Sequence, residues 1–179
     1  MGCTTINDAT ARAAYAMPCL LPDVELINAR RSIYCGRRTH SGVVPAEGVE
    51  AQLTHAFSIE DTRAFAELSG DNNPLHVDEV FARQHTGESK PVVQGLLSAS
   101  LFATIFGRTL PGAVYVKQDL RWRAPLLVDE EVMARIRVLR VRKRFLECET
   151  VCTKADDGVV VVDGHATLLL PSVANQVAN

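Results

Sequence analysis

The sequence predicts an α+β domain in which an antiparallel β-sheet wraps one long helix. A stretch from about residue 94 to residue 106 is apolar on nearly every side of a helix, and the segments after it alternate between apolar and charged residues. A helix that is apolar all round must be covered all round, and period-two segments form half-buried strands. We therefore expect a curved sheet to cover most of this helix, with a second subunit able to cover the rest.

Length and composition fit one such domain but leave its activity open. The chain has 179 residues, of which 47% are hydrophobic and 22% charged, with a formal net charge of −2. This balance argues against a nucleic-acid partner held by electrostatics and against general disorder. The uncharged run 91–107 reaches the lower limit for a membrane span, but its polar residues Gln94, Ser98 and Thr104 favour a buried helix, so we predict no membrane span.

Residues 1–50 read as an Arg-containing leader without sustained periodicity. Every basic residue before residue 41 is an arginine, and the first lysine is Lys90. This composition is typical of a transit peptide, although Asp8, Asp23 and Glu25 are unusual in one. A disordered extension is the alternative. The catalytic domain is expected over 51–172, with a tail over 173–179.

Capping and turn signals predict the helices in order. Ser58 followed by Asp61 forms the pattern of a capping box, which predicts a short helix over about 59–68. Gly70 ends this helix, and the Asp-Asn-Asn-Pro sequence at 71–74 is a strong turn signal. A second short helix is expected from 78 to about 84, followed by a loop and the long apolar helix.

The remainder of the chain is predicted to be strands. From 113 to 124 apolar residues alternate with charged ones, and the segment 132–138 repeats that alternation. Two further runs, at about 144–154 and 159–170, flank an Asp-Asp-Gly turn at 156–158 and therefore form a hairpin. Trp122, at the end of the first strand, is expected to pack in the core.

The residues that indicate chemistry lie in the turn after the first helix. Asp71 and His76 are five residues apart, a spacing that would direct them apart on a helix but lets them converge around a turn. A carboxylate and an imidazole that meet can hold a water molecule, one accepting a proton while the other donates one. The alternative is structural: Asp71 satisfies turn amides and His76 is a hydrogen-bonded residue near the core.

The segment 65–82 resembles the signature of MaoC-like (R)-specific enoyl-CoA hydratases and the related 3-hydroxyacyl-thioester dehydratases. That signature has an aromatic residue, then Gly-Asp-x-Asn-Pro-aliphatic-His, then a small residue. The matching positions are Phe65, Gly70, Asp71, Asn73, Pro74, Leu75, His76 and Ala82. The resemblance extends over about 51–171 and implies a hotdog fold, in which an antiparallel sheet wraps a central helix, usually paired into a homodimer.

The resemblance also implies roles for individual residues. Asp71 and His76 are expected to be the catalytic acid/base pair, with Asn73 helping to orient them, and the backbone N–H of Gly95 is expected to bind the thioester carbonyl oxygen. The start of a helix suits such a donor because its N–H groups are free and lie at the positive end of the dipole. Family members commonly have His before this glycine. Gln94 stands there instead and either replaces that His in positioning the loop or changes the pH profile.

The implied reaction is reversible dehydration of (R)-3-hydroxyacyl thioesters on acyl carrier protein or coenzyme A, with no cofactor and no metal. The segment 112–125 looks like the mitochondrial dehydratases of this group, which suggests mitochondrial fatty acid synthesis. The alternatives are an (R)-specific enoyl-CoA hydratase of β-oxidation or polyester supply, a hotdog thioesterase, and a non-catalytic scaffold subunit.

Three basic residues and two cysteines are secondary candidates. Lys90, Arg121 and Arg123 could contact the phosphates of coenzyme A or of a carrier protein, although a solvated sheet face explains them equally well. Cys148 and Cys152 share a strand face but lack further ligands at a suitable spacing, so no zinc site is expected. An odd total of five cysteines indicates unpaired thiols in a reducing compartment.

Overall fold

The computed structural model describes residues 45–171 together with the backbone of three short strands that precede them. These strands are β1 (Glu25–Ile27), β2 (Arg38–Thr39) and β3 (Gly42–Val43). The remainder of the predicted leader and the predicted tail at 173–179 lie outside the described residues. β1 pairs with the first strand of the main domain, so a part of the sequence assigned to the leader contributes a strand to the sheet.

The helices follow the predicted order. After strand β4 (Glu50–Ala56) come α1 (Ile59–Ser69), a 3-10 helix (Pro74–His76), α2 (Glu79–Thr86) and α3 (Gly95–Thr109). The capping box of α1 is confirmed. Ser58 Oγ accepts a hydrogen bond from the Asp61 N–H at 3.2 Å, and Asp61 Oδ2 accepts one from the Ser58 N–H at 2.8 Å.

β2 and β3 pair only with each other, and the other strands form one antiparallel sheet whose order differs from the order along the chain. The strands after α3 are β5 (Val114–Trp122), β6 (Glu131–Arg142), β7 (Phe145–Lys154) and β8 (Val160–Leu169). The order across the sheet is β1-β4-β6-β7-β8-β5, because β5 pairs with β8. β5 is therefore an edge strand, and its position places the residues that follow it beside the start of α3.

The core lies between α3 and the inner face of the sheet, as predicted. Buried α3 residues meet alternate residues of the strands, and burial of each large side chain contributes about 2 kcal/mol. The apolar α3 residues that are almost fully buried are Leu101, Phe102, Ile105 and Phe106. The predicted α+β architecture is confirmed. Within the described part of the chain, no helix is long and apolar enough to cross a membrane.

Strand β5 remains exposed along much of its length. Val114, Val116 and Trp122 are 58%, 54% and 46% exposed. The prediction that Trp122 packs in the core is therefore wrong. The strand occupies the sheet edge, and the indole lies against the first turn of α3, where no element of the described chain covers it fully.

The two cysteines of β7 give a prediction about thiol reactivity. Cys148 and Cys152 are unpaired and fully buried, and burial raises the pKa of each thiol from 9.0 to about 12. Since the thiolate is the reactive form, iodoacetamide at pH 8 should leave both unmodified in the folded protein and modify both in concentrated guanidinium chloride. Mass spectrometry of the digested protein distinguishes the peptides that contain Cys148 and Cys152 from those that contain Cys3, Cys19 and Cys35.

The same thiols set the direction of a pH effect. The folded protein keeps their protons to a higher pH than the unfolded chain, so their contribution to stability is complete below pH 9.0 and is lost as the pH rises toward about 12. Rapid labelling of either cysteine in the folded state would contradict this account of the core.

Candidate active site

The turn after α1 is held by its own short polar side chains. Gly70 ends α1 with a left-handed φ of 79°, which glycine adopts without strain. Asp71 Oδ1 accepts a hydrogen bond from the Asn73 N–H at 3.4 Å, and Asn73 Oδ1 accepts one from the Leu75 N–H at 3.1 Å. Asn73 thus caps the 3-10 helix whose last residue is His76, and it acts on the turn instead of contacting the imidazole.

This turn brings Asp71 and His76 together. The distance from Asp71 Oδ2 to His76 Nε2 is 3.7 Å, too long for a direct hydrogen bond. A single water or hydroxyl oxygen can nevertheless lie at hydrogen-bond distance from both atoms. The imidazole is 13% exposed and the carboxylate 49% exposed, so the pair stands where the protein surface meets the interior.

The other imidazole nitrogen determines which tautomer His76 adopts. Nδ1 lies 2.6 Å from the carbonyl oxygen of Val92, and because a carbonyl only accepts, Nδ1 carries the hydrogen. In the neutral ring Nε2 is then the proton acceptor, and it faces Asp71. Val92 is itself fixed, since its N–H donates to the Leu75 carbonyl at 3.0 Å.

A cavity of about 370 Å³ connects His76 with the start of α3. It contains the first residue of that helix, Gly95, whose N–H has no acceptor within the helix. The residues that line the cavity are His76, Val92, Val93, Gly95, Ser98, Trp122, Arg123, Ala124, Pro125, Leu126 and Val161. A proton acceptor and a backbone donor at a positive helix end therefore share one space, which suits a reaction that builds negative charge on a carbonyl oxygen.

Trp122 is a site residue that the sequence analysis missed. Its indole Nε1 donates to the carbonyl oxygen of Gly95 at 3.0 Å, across 27 residues of sequence. Its position at the end of a strand gave no signal of this contact, because the contact depends on the pairing of β5 with β8.

Gln94 does not line the cavity; its side chain turns toward α1. It is 2% exposed, and its Nε2 donates to the carbonyl oxygen of Thr62 at 2.9 Å. Its Oε1 has no hydrogen-bond partner among the described residues. Gln94 thus anchors the segment before α3 to α1, which agrees with a role in positioning the loop.

The three candidate phosphate contacts occupy different places. Arg123 lines the cavity, and its Nε lies 3.1 Å from Asp163 Oδ2. Lys90 pairs with Asp129 at 2.9 Å, outside the set of cavity-lining residues. Arg121 lies on the outer sheet face beside Asp119, whose pKa is lowered first by the hydrogen bond from Lys117 and to a smaller extent by Arg121. Of the three, the structure brings only Arg123 to the cavity.

Comparison with known proteins finds a matching family and several similar proteins. The family described as "MaoC like domain" matches residues 41–160. A mitochondrial 3-hydroxyacyl-acyl-carrier-protein dehydratase from Arabidopsis thaliana is 39% identical over 124 residues, which cover 67% of this chain and 74% of that protein. An (R)-specific enoyl-CoA hydratase from Rhodospirillum rubrum is 38% identical over 130 residues, covering 70% of this chain and 88% of that protein.

Solved structures show the same fold. An (R)-hydratase from Aeromonas caviae involved in PHA biosynthesis superposes with a TM-score of 0.67 and 36% sequence identity, covering 70% of this chain and 97% of that one. A MaoC-like dehydratase from Rhodospirillum rubrum superposes with a TM-score of 0.59 at 21% identity and covers 71% and 94% of the two chains. The predicted hotdog fold is thereby confirmed.

The buried amide of Gln94 generates a prediction about stability. In Gln94→Glu a carboxylate would face the Thr62 carbonyl inside the protein, and we expect the free energy of unfolding at pH 7 to fall by about 3 kcal/mol or more. Gln94→Met loses the hydrogen bond without adding charge and should cost about 1 to 2 kcal/mol.

The penalty in Gln94→Glu should shrink as the pH falls from 7 to 5. Burial raises the pKa of the new carboxyl, so the folded protein binds a proton that the unfolded chain does not, and acid then favours folding. Urea unfolding at both pH values measures this difference. Equal stability of the two variants at pH 7 would contradict the buried position of the side chain.

Proposed function

This chain belongs to the MaoC-like domain family, and on that premise we propose that it is a hydro-lyase that reversibly dehydrates (R)-3-hydroxyacyl thioesters to trans-2-enoyl thioesters. The observation that carries the proposal is the cavity lined both by His76, whose Nε2 lies 3.7 Å from the Asp71 carboxylate, and by Gly95, whose N–H has no acceptor within α3. The similarity to dehydratases and hydratases supports the same reaction class.

The Gly95 N–H and the side chains of Asp71 and His76 match the three demands of the elimination. Removing a proton from C2 leaves negative charge that spreads to the thioester oxygen, and the Gly95 N–H donates to that oxygen at the positive end of α3. One member of the Asp71–His76 pair accepts the C2 proton, and the other protonates the departing 3-hydroxyl. The C2–H and C3–O bonds break, the C2–C3 double bond forms, and the hydroxyl leaves as water.

The pair must hold one transferable proton between its two groups. In one assignment neutral His76 accepts at Nε2 and protonated Asp71 donates; in the other the Asp71 carboxylate accepts and protonated His76 donates. Either way the two groups have exchanged protonation states after the elimination. Return of the proton through a water molecule that bridges the two atoms, 3.7 Å apart, restores the starting state. Asn73 and Val92 contribute by holding these two side chains in place.

We propose acyl carrier protein as the carrier of the acyl group, with coenzyme A thioesters as the alternative substrates. The name of the Arabidopsis thaliana relative supports the carrier protein, whereas the names of the bacterial relatives support coenzyme A. Arg123 is the basic residue placed to meet an anionic group of either carrier at the cavity edge.

A mitochondrial location and a targeting leader within residues 1–50 belong to the same proposal. The name of the Arabidopsis thaliana relative and the lysine-free, Arg-containing composition of these residues support both. Because Glu25–Ile27 pairs with β4, a cleavage that preserves the whole sheet would fall before Glu25.

We also propose that the protein is a homodimer joined along β5. An edge strand carries unpaired backbone N–H and C=O groups, and this one adds exposed apolar side chains, among them Val114 and Val116. Pairing of two copies along this strand would satisfy the backbone and cover those side chains.

Replacing Asp71 with Asn tests the proposed reaction. We expect hydration of crotonyl-CoA, followed by loss of its enoyl absorbance, to slow by at least about 100-fold, because an amide cannot exchange the proton. The thermal unfolding temperature should stay close to that of the wild type, since Asp71 is exposed.

The matched control is Asp156→Asn, an exposed aspartate in the turn between β7 and β8 that should retain wild-type turnover. A folded Asp71→Asn protein with wild-type turnover would refute the catalytic assignment. Release of free coenzyme A thiol without hydration by the wild-type enzyme would favour the thioesterase alternative instead.

A further inference from the structure

We propose that Trp122 is a positioning residue that holds the first turn of α3, so that the Gly95 N–H stays directed at the substrate oxygen. The inference rests on the proposed function, in which that N–H stabilises the developing enolate. It adds a residue outside the acid/base pair and explains why position 95 must be glycine in this chain.

The Gly95 carbonyl is held by two hydrogen bonds. It accepts from the Trp122 indole at 3.0 Å and also from Ser98 Oγ at 2.7 Å. The Ser98 contact is local to the helix, whereas the indole belongs to strand β5. Trp122 therefore ties the start of α3 to the sheet, a connection that hydrogen bonds within the helix cannot provide.

Helix α3 begins without a side-chain cap. Gln94 occupies the N-cap position, and its side chain makes no capping hydrogen bond. A capping oxygen would accept from the N–H groups of this turn and compete with a substrate oxygen for the positive end of the helix. A tie to the carbonyl of Gly95 restrains the same turn and leaves its donors free.

Position 95 has no room for a side chain. A Cβ added to Gly95 would lie 2.7 Å from Trp122 Nε1 and 2.9 Å from its Cε2, so alanine there must displace the indole or the helix. Gly107, in the same helix, has nothing within 4 Å of an added Cβ. The requirement for glycine at 95 therefore comes from the packing of Trp122.

The test compares crotonyl-CoA hydration by Trp122→Phe and the wild type. Phenylalanine keeps an aromatic ring but lacks the N–H donor, and we expect kcat to fall about tenfold with KM within about twofold. If Trp122 had only a structural role, Trp122→Phe would lower the unfolding temperature, or the fraction of dimer measured by light scattering. It would not then lower kcat while leaving KM within about twofold of the wild-type value. An unchanged kcat, or a loss confined to KM, would overturn the proposal.

A second set of variants tests the size argument without relying on one substitution. Gly95→Ala should lose at least about 100-fold in kcat, and adding Trp122→Val should recover at least about tenfold by freeing space for the new methyl group. Gly107→Ala is the control and should keep wild-type kcat. A double variant no more active than Gly95→Ala would overturn the proposal.

Trp122 also provides a direct optical readout, because it is the only tryptophan in the chain. Its indole lines the cavity, so crotonyl-CoA binding to the Asp71→Asn protein should change the fluorescence emission in a saturable manner. Constant emission at crotonyl-CoA concentrations that saturate the wild-type enzyme would place the substrate away from Trp122 and overturn the inference. Hydration of crotonyl-CoA by the wild type tests the proposed function separately, because its absence refutes that function. The ratios of kcat between the variants and the wild type test the role of Trp122 alone.

Discussion

The hydrogen bond from His76 Nδ1 to the Val92 carbonyl is the contact on which the arrangement of the site depends. It fixes the tautomer and the orientation of the imidazole, and it joins the turn after α1 to the segment that leads into α3. The same segment is held on its other side, where the Val93 N–H donates to the Leu126 carbonyl at 2.8 Å. The proton-transfer pair and the Gly95 donor thus take their positions from one stretch of three or so residues, and a shift there would misplace both together.

The fold provides what this stretch requires. One face of α3 is buried against the sheet, so its axis is fixed by apolar contacts and its N-terminus opens into a small cavity. The first turn is the weakest part of any helix because its N–H groups lack intrahelical acceptors. In this chain the free donors of the first turn stay available to a ligand. The turn itself is held by the contacts of Gln94 and Trp122.

Much of this arrangement could be predicted from local sequence. The capping box at Ser58, the turn at 71–74 and the period-two strands each depend on residues close together in the chain, and the structure has all of them. Asp71 and His76 could be chosen because the turn between them is short. The contacts of Trp122 with Gly95 and of Gln94 with Thr62 could not, since both require the pairing of elements distant in sequence. The ion pair between Lys90 and Asp129 was unpredictable for the same reason.

The central claim is that this cavity adds and removes water at an acyl thioester. Its most direct test is the product formed when the wild-type protein is incubated with crotonyl-CoA and the mixture is separated on a chiral column. The account predicts (R)-3-hydroxybutyryl-CoA with no free coenzyme A. Accumulation of free coenzyme A, or unreacted crotonyl-CoA in the presence of the folded protein, would contradict it.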